Sequence, residues 1–394
     1  MMIISLYTRI STFCASILMM GLLSITAVFA QTNSTGANSI EANNNTCAAQ
    51  AFYVENVKVS ALADTSEEAR VAATEKGLND AWMRLLGRIV ISDQPLPQLT
   101  PKALTPEDLT ALLDYTRIVN ETVLPSRYQA VFDYCFDRLR TRDYLASANL
   151  RHAELRSGPI LILPIWETPQ GPYLWRKPNP WAESWVRQLS YHDGLLNLKL
   201  PRNLATERAI EAPALVARQA STLATAARLE QTERVLLMVM TPQQQDGQIT
   251  VNVKADLYDR KGNFESTAYT MQEAALNPAA IESSIDGIAT TLLDGIEDVW
   301  RNTNVVDVQD SGVVLVTIKA RSLKEWRSHL NVLTSLPPVE NLSVIRLGSG
   351  GGLVRLKLAG SVTSLNYALE GYGLELAEEG INQGTYLSLN RTIN

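Results

Sequence analysis

The sequence predicts an α/β protein made of mixed-sheet sandwiches and closed by a ferredoxin-like βαββαβ module. Three observations carry this prediction. Segments of apolar period two alternate with segments of apolar period near 3.6 along most of the chain. Two uninterrupted apolar runs, Ile160–Ile165 and Val235–Met240, have the pattern of strands buried on both faces. Residues 311–394 read strand, helix, strand, strand, helix, strand. At about 150 residues per domain, a length of 394 residues makes two or three domains. With 46% hydrophobic and 19% charged residues, the chain is neither disordered nor collagen-like.

The elements follow in order. Met1–Arg9 is a weakly basic start, Ile10–Phe29 is mostly apolar, and Val28-Phe29-Ala30 offers a cleavage site. This predicts a secretory signal peptide over residues 1–30, cleaved after Ala30. The alternative is an uncleaved anchor in the inner membrane, since about 20 apolar residues can span a bilayer. No Cys follows Ala30, which argues against a lipoprotein. No later segment reaches about 18 uncharged apolar residues, so no stable membrane span is expected after cleavage. Residues 31–48 are polar, Asn-rich and without period, as in a disordered leader.

A first α/β module is expected over 49–153. Val57, Val59 and Ala61 alternate with Lys58 and Ser60 in a half-buried strand. Asp64-x-x-Glu67 can box the start of a helix carrying Val71, Leu78, Trp82 and Leu85 and ended by Gly87. Ile89–Ile91 reads as a short strand, and Pro95, Pro97 and Pro101 as a loop. Thr105-Pro106 starts a short helix with Leu109, Leu112 and Leu113. Tyr128–Phe136 reads as a strand and Arg140–Leu150 as a helix.

A central α/β module is expected over 157–304. It contains the two apolar strands and, between them, a helix with Val216, Ala220, Leu223 and Ala227. Ile249, Val251, Val253, Ala255 and Leu257 alternate cleanly, and Lys261-Gly262-Asn263 turns into Phe264–Met271. Asn277-Pro278 opens a long helix with Ile281, Ile285, Ile288, Leu292, Ile296 and Val299 inward. The closing module, 311–394, has strands at Val313–Ile318, Leu342–Leu347, Leu353–Leu358 and Leu374–Leu376. Its helices carry Leu323, Trp326, Leu330 and Leu333, then Leu365 and Leu369.

Charge and residue counts narrow the chemistry. The net charge is −6, which excludes nucleic-acid binding by counterion release. Cys14 lies in the signal peptide, so Cys47 and Cys135 remain as an even pair, expected as a disulfide after export. Two cysteines with no further ligands at short spacing do not make a zinc site, and no cofactor motif is present. Gly348-Ser349-Gly350-Gly351-Gly352 is followed by a strand and by no Gly-Lys-Ser/Thr, so it reads as a hairpin turn rather than a phosphate loop. Ser190, His192 and Asp193 are the residue types of a hydrolytic triad, but adjacency is not triad geometry, and no G-x-S-x-G elbow exists. His152 and His329 read as ordinary solvated or helix-end histidines, and the carboxylates Asp256, Asp259, Glu378 and Glu379 as solvated charges.

Trp166, Trp175, Trp181 and Trp185 are the best interaction candidates. Asn179-Pro180 can start a helix with Trp181 and Trp185 one turn apart on one face. Helical aromatic spacing reads first as packing, with at least one indole inside the central module, and otherwise as a platform for glycan or peptide.

Pro159–Trp166, Leu174-Trp175 and Asn179-Pro180-Trp181-x-x-x-Trp185 resemble the bacterial envelope family known as domain of unknown function 2066. The resemblance runs from about 50 to 377 and includes Tyr53–Leu86, Cys135-Phe136-Asp137, Tyr144-Leu145, Thr232–Leu257, Trp326 and Leu358-Ala359-Gly360. After Leu198-Lys199-Leu200-Pro201 the family tends to carry Gly-Asp and further acids, whereas this chain has Arg202-Asn203-Leu204-Ala205-Thr206-Glu207. The central module also resembles, to a lesser degree, the N-terminal domain of the Tol–Pal β-propeller protein and curli-secretion-type lipoproteins. These resemblances imply a Gram-negative envelope protein and no particular reaction. The expectation is a periplasmic, non-enzymatic interaction or assembly factor whose partners are envelope proteins. The alternative is a glycan- or peptide-binding hydrolase with a Trp-lined cleft.

Overall fold

The computed structural model describes residue 47 and residues 49–91, 104–175, 177–245, 248–306, 312–379 and 386–391. The expected signal peptide, most of the expected leader and the loop read around Pro95, Pro97 and Pro101 lie outside the described residues.

The fold is α/β. In the first module β1 (Tyr53–Leu62) is followed by α1 (Ser66–Ile89), α2 (Pro106–Ala111), β2 (Leu113–Leu124), β3 (Arg127–Phe136) and α3 (Arg138–Ser147). The sheet is antiparallel in the order β1-β3-β2. α1 covers β1 and β3, and Gly77 allows the approach. A Cβ there would stand 2.7 Å from the Tyr134 hydroxyl and 2.8 Å from Val59. The capping box is shifted by one residue from expectation, to Thr65 and Glu68. The helix also passes Gly87. Arg88 is buried against Asp193 and the carbonyls of Ala51 and Tyr53, and Ile89 is buried too, so tertiary anchoring outweighs the glycine's low propensity. Val90 therefore makes only a bridge to His152, not the expected strand. Asp133, on β3, accepts from the Tyr53 hydroxyl, the Asn56 N–H and Arg117. Asn56 is the left-handed bulge residue of β1 (φ 57°). Cys47 is joined to Cys135 of β3, with Cα atoms 5.6 Å apart.

The central module holds β5 (Pro159–Thr168), β6 (Gly171–Tyr173), α4 (Pro180–Tyr191), β7 (Asn197–Lys199), α5 (Leu204–Ala209), α6 (Ala212–Val216), α7 (Ala220–Glu230), β8 (Arg234–Gln245), β9 (Gln248–Asp259), β10 (Phe264–Leu276) and α8 (Ile281–Thr303). The sheet order is β10-β9-β8-β5-β6, with β5 parallel to β8 and the remaining pairs of this row antiparallel. Period two divides β5 between two cores. Ile160 and Ile162 join Trp181, Trp185, Met238, Val253, Ile285 and Leu292. Leu161, Leu163 and Ile165 join Leu215, Leu223, Ala227, Val235 and Leu237. Helices on both faces make a three-layer sandwich.

Four expectations need correction here. The helix read over Val216–Ala227 breaks into α6 and α7, because Arg218 turns left-handed (φ 54°) and donates to Asp256 at 3.1 Å. Asp256 is buried, not solvated, and also accepts from Thr267 at 2.8 Å. At the end of α8 the buried residue is Trp300 rather than Val299, and its Nε1–H donates to Leu155 O at 2.7 Å. His152 and His329 are buried as well.

β4 (His152–Ala153) pairs with β11 (Val305–Val306) and ties the ends of the central module together. The closing module comprises β12 (Val313–Lys319), α9 (Leu323–Ser335), β13 (Val339–Gly348), β14 (Gly351–Leu358), α10 (Val362–Glu370), β15 (Leu374–Glu379) and β16 (Tyr386–Arg391). Its sheet order is β13-β14-β12-β16-β15. This is the ferredoxin-like arrangement with one strand added. β16 is inserted parallel to β12, where the last strand of the simple motif would sit. One apolar cluster runs from Ala51 through Trp181, Ile285 and Trp300 to Leu389, so the three modules share a core.

Candidate functional site

β5 has one edge closed and one edge open. β8 pairs it from Ile160 to Trp166. On the other edge, β7 pairs residues 159–161 and β6 pairs residues 166–168. Residues 162–165 have no strand on that side among the described residues. Pro164 lies in this gap, where a residue without an N–H costs no ladder bond.

A groove of about 400 Å³ opens onto Pro164. The outward face of α4 forms one wall with Ala182, Glu183 and Val186, and Leu200, Pro201 and Leu204 form the other. Leu174 and Trp175 close one end. Val186 is 56% exposed and Leu204 68% exposed. Lys177 and Arg202 stand at the rim with Glu183 and Glu207, so an apolar floor is ringed by charges of both signs.

Local chemistry fixes these walls. The Asn179 side chain accepts from Ala182 N–H at 3.0 Å to start α4, with Pro180 as its first residue, and donates to Leu174 O at 3.1 Å. One buried amide thus positions both the helix and the loop before it. Trp175 is half-buried, and its Nε1–H donates to Ile210 O at 2.8 Å. The Glu230 carboxylate accepts from the N–H groups of Arg202 and Asn203 at 3.3 and 3.1 Å, and Asn203 caps α5. These bonds hold Leu204 outward.

The four tryptophans do not converge. Trp181 and Trp185 are 0% exposed, lie edge to face with ring centroids 5.5 Å apart, and cover the sheet; Trp181 donates to Met238 O at 3.4 Å. As a contact surface these two are excluded, because the apolar face of Ile160, Ile162 and Met238 needs that cover. Trp166 is half-buried between Tyr173 and Met240 in the sheet. Only Trp175 reaches the groove. Pro164, Val186 and Leu204 escaped the sequence reading. Val186 follows Trp185, so on a helix it faces about 100° away from the buried stripe.

Ser190, His192 and Asp193 face different partners. The Ser190 hydroxyl donates to Val186 O at 2.8 Å within its own helix. His192 Nε2 lies 3.0 Å from Leu196 O and 3.2 Å from Glu297. Asp193 binds Arg84 at 2.7 Å and also Arg88, joining the first module to the central one. The charged and polar side chains in the groove lining are those of Lys177, Asn179, Glu183, Arg202, Asn203 and Glu207. Among the described residues, no group of three His, Cys, Asp or Glu is placed to hold a metal, and no helix is long and apolar enough to cross a membrane.

No protein-family model matches the chain, and no curated protein matches it. Among solved structures, the hypothetical protein CT253 from Chlamydia trachomatis is similar over 36% of this chain and 98% of its own, at 15% identity and a TM-score of 0.23. A likeness at that TM-score supports no inference about fold or function.

Proposed function

We propose that the chain is an exported Gram-negative envelope protein, cleaved after Ala30, that acts in the periplasm as a non-catalytic interaction or assembly factor. The resemblance to the domain of unknown function 2066 family supports the compartment, and the Cys47–Cys135 bond suits an oxidising one. The observation that carries the reading is the groove at the open edge of β5, where Val186 and Leu204 keep apolar side chains in solvent beside Trp175. An apolar floor with a charged rim is the composition of a protein contact, and an open strand edge can accept an extended segment.

The test is affinity capture from envelope extract of the native source, comparing the wild-type chain with Val186→Asp and Leu204→Asp. Both side chains are exposed, so neither change should alter the thermal melt by more than a degree or two. A protein retained by the wild type and lost from both variants is the expected result. Identical capture by all three chains would refute the groove as the contact.

A further inference from the structure

The closing module presents an outer strand whose residue pattern is complementary to itself. β13 is the first strand of its sheet, and beyond it no strand is paired among the described residues. Long apolar edges of this kind are usually blunted or covered. Here Val344, Ile345 and Leu347 are 48%, 47% and 54% exposed along ten residues of strand.

Register with β14 assigns the faces. Leu342 and Val344 lie opposite Leu356 and Val354, both buried, so they share the helix-covered face. Ser343 and Arg346 lie opposite Arg355 and Leu353 on the other face. The Glu340 carboxylate meets Lys357 at 2.9 Å, and Lys357 belongs to that second face too. Register shifts at Glu340 and Ile345 bracket the regular stretch between them.

We propose that β13 pairs antiparallel with β13 of a second copy, about a two-fold axis through Ser343. In this register Leu342 opposes Val344 of the second copy on one face, and Glu340 opposes Arg346 on the other. Symmetry repeats each pair, so every side chain keeps its face and both acids meet a cation. Moving the axis to Leu342 sets Glu340 against Val344, and moving it to Val344 sets Leu342 against Arg346. Charge complementarity therefore selects one register. The pairing would join two five-stranded sheets into one continuous sheet, and the groove of the central module takes no part in it.

Sedimentation velocity of the purified chain over a hundredfold concentration range tests the proposal. The wild type should self-associate to a dimer. Arg346→Glu and Glu340→Arg should each weaken the dimer by about tenfold or more, since like charges then oppose each other twice. The double variant Glu340→Arg/Arg346→Glu should restore it, which a merely misfolded single variant would not do. A monomer at every concentration would overturn the proposal. So would a dimer indifferent to both single reversals, because its interface would lie elsewhere.

Discussion

Replacing Trp185 by Ala should lower the unfolding free energy by about 3–5 kcal/mol, measured by denaturant titration. The indole is fully buried and edge-on to Trp181 between α4 and the central sheet, so its removal leaves a void that rigid neighbours cannot fill. Val186→Asp, one residue along the same helix, should change stability by no more than about 0.5 kcal/mol. Glu154 supplies a pH-dependent counterpart. Burial acts to raise its pKa, but hydrogen bonds from His152 and Arg142 and the charges of Arg142 and Arg138 outweigh that, lowering it from 4.5 to about 2. A folded-state value below the unfolded one gives stability that is complete above about pH 4.5 and is lost as pH falls toward 2. The loss should amount to a few kcal/mol, and Glu154→Gln should flatten that part of the stability–pH curve. At this scale the Trp181/Trp185 spacing was legible because both residues lie on one short helix. The burial of Glu154 and Asp256 was not, because the arginines that neutralise them, Arg138 and Arg142 for the first and Arg218 beside Lys254 for the second, lie on other segments.

Gly351 and Gly352 show what an element demands of single residues. Gly351 has φ +128°, and a Cβ on it would stand 2.0 Å from Ile318 O. A Cβ on Gly352 would stand 2.4 Å from Arg346 O and 2.7 Å from the Trp326 ring. Gly352→Ala should therefore cost about 1–3 kcal/mol by overpacking and lower the melting temperature, whereas Gly350→Ala, with open space around it, should cost much less. The hairpin itself was readable from its glycine run between two apolar segments. β2 was not: it is an edge strand exposed along nearly all its length, and without a buried face its residues carry no period. β16 was missed for a topological reason, since it lies between β12, to which it is parallel, and β15, to which it is antiparallel, and adds to a motif that already looked complete. The capping register of α1 slipped by one residue because Asp64-x-x-Glu67 and Thr65-x-x-Glu68 offer the same chemistry.

Among the described residues, arginines bind the modules across one apolar core. Arg88 and Arg84 hold Asp193, Arg234 holds Glu370 at 2.6 Å, and Arg138 joins Glu154 to Pro337 O at 2.8 Å. The partners Arg88 and Asp193 are 105 residues apart, so this joint is invisible to local patterns. A shared core and buried joints lead us to expect one unfolding transition, with far-ultraviolet dichroism and tryptophan fluorescence coinciding. Arg234→Ala removes the buried cation that Glu370 and Glu265 share, and should separate the two curves as the closing module loosens first. The docking surface we propose is the groove beside Trp175, and that proposal can be tested in the cell. A photo-crosslinking amino acid at position 186 should yield an adduct with another protein, lost when Leu204 is changed to Asp in the same chain. The same probe at exposed Met83, on the first module, should yield none. Equal adducts from both positions, or an adduct from 186 that survives the change at Leu204, would contradict the groove as the docking surface.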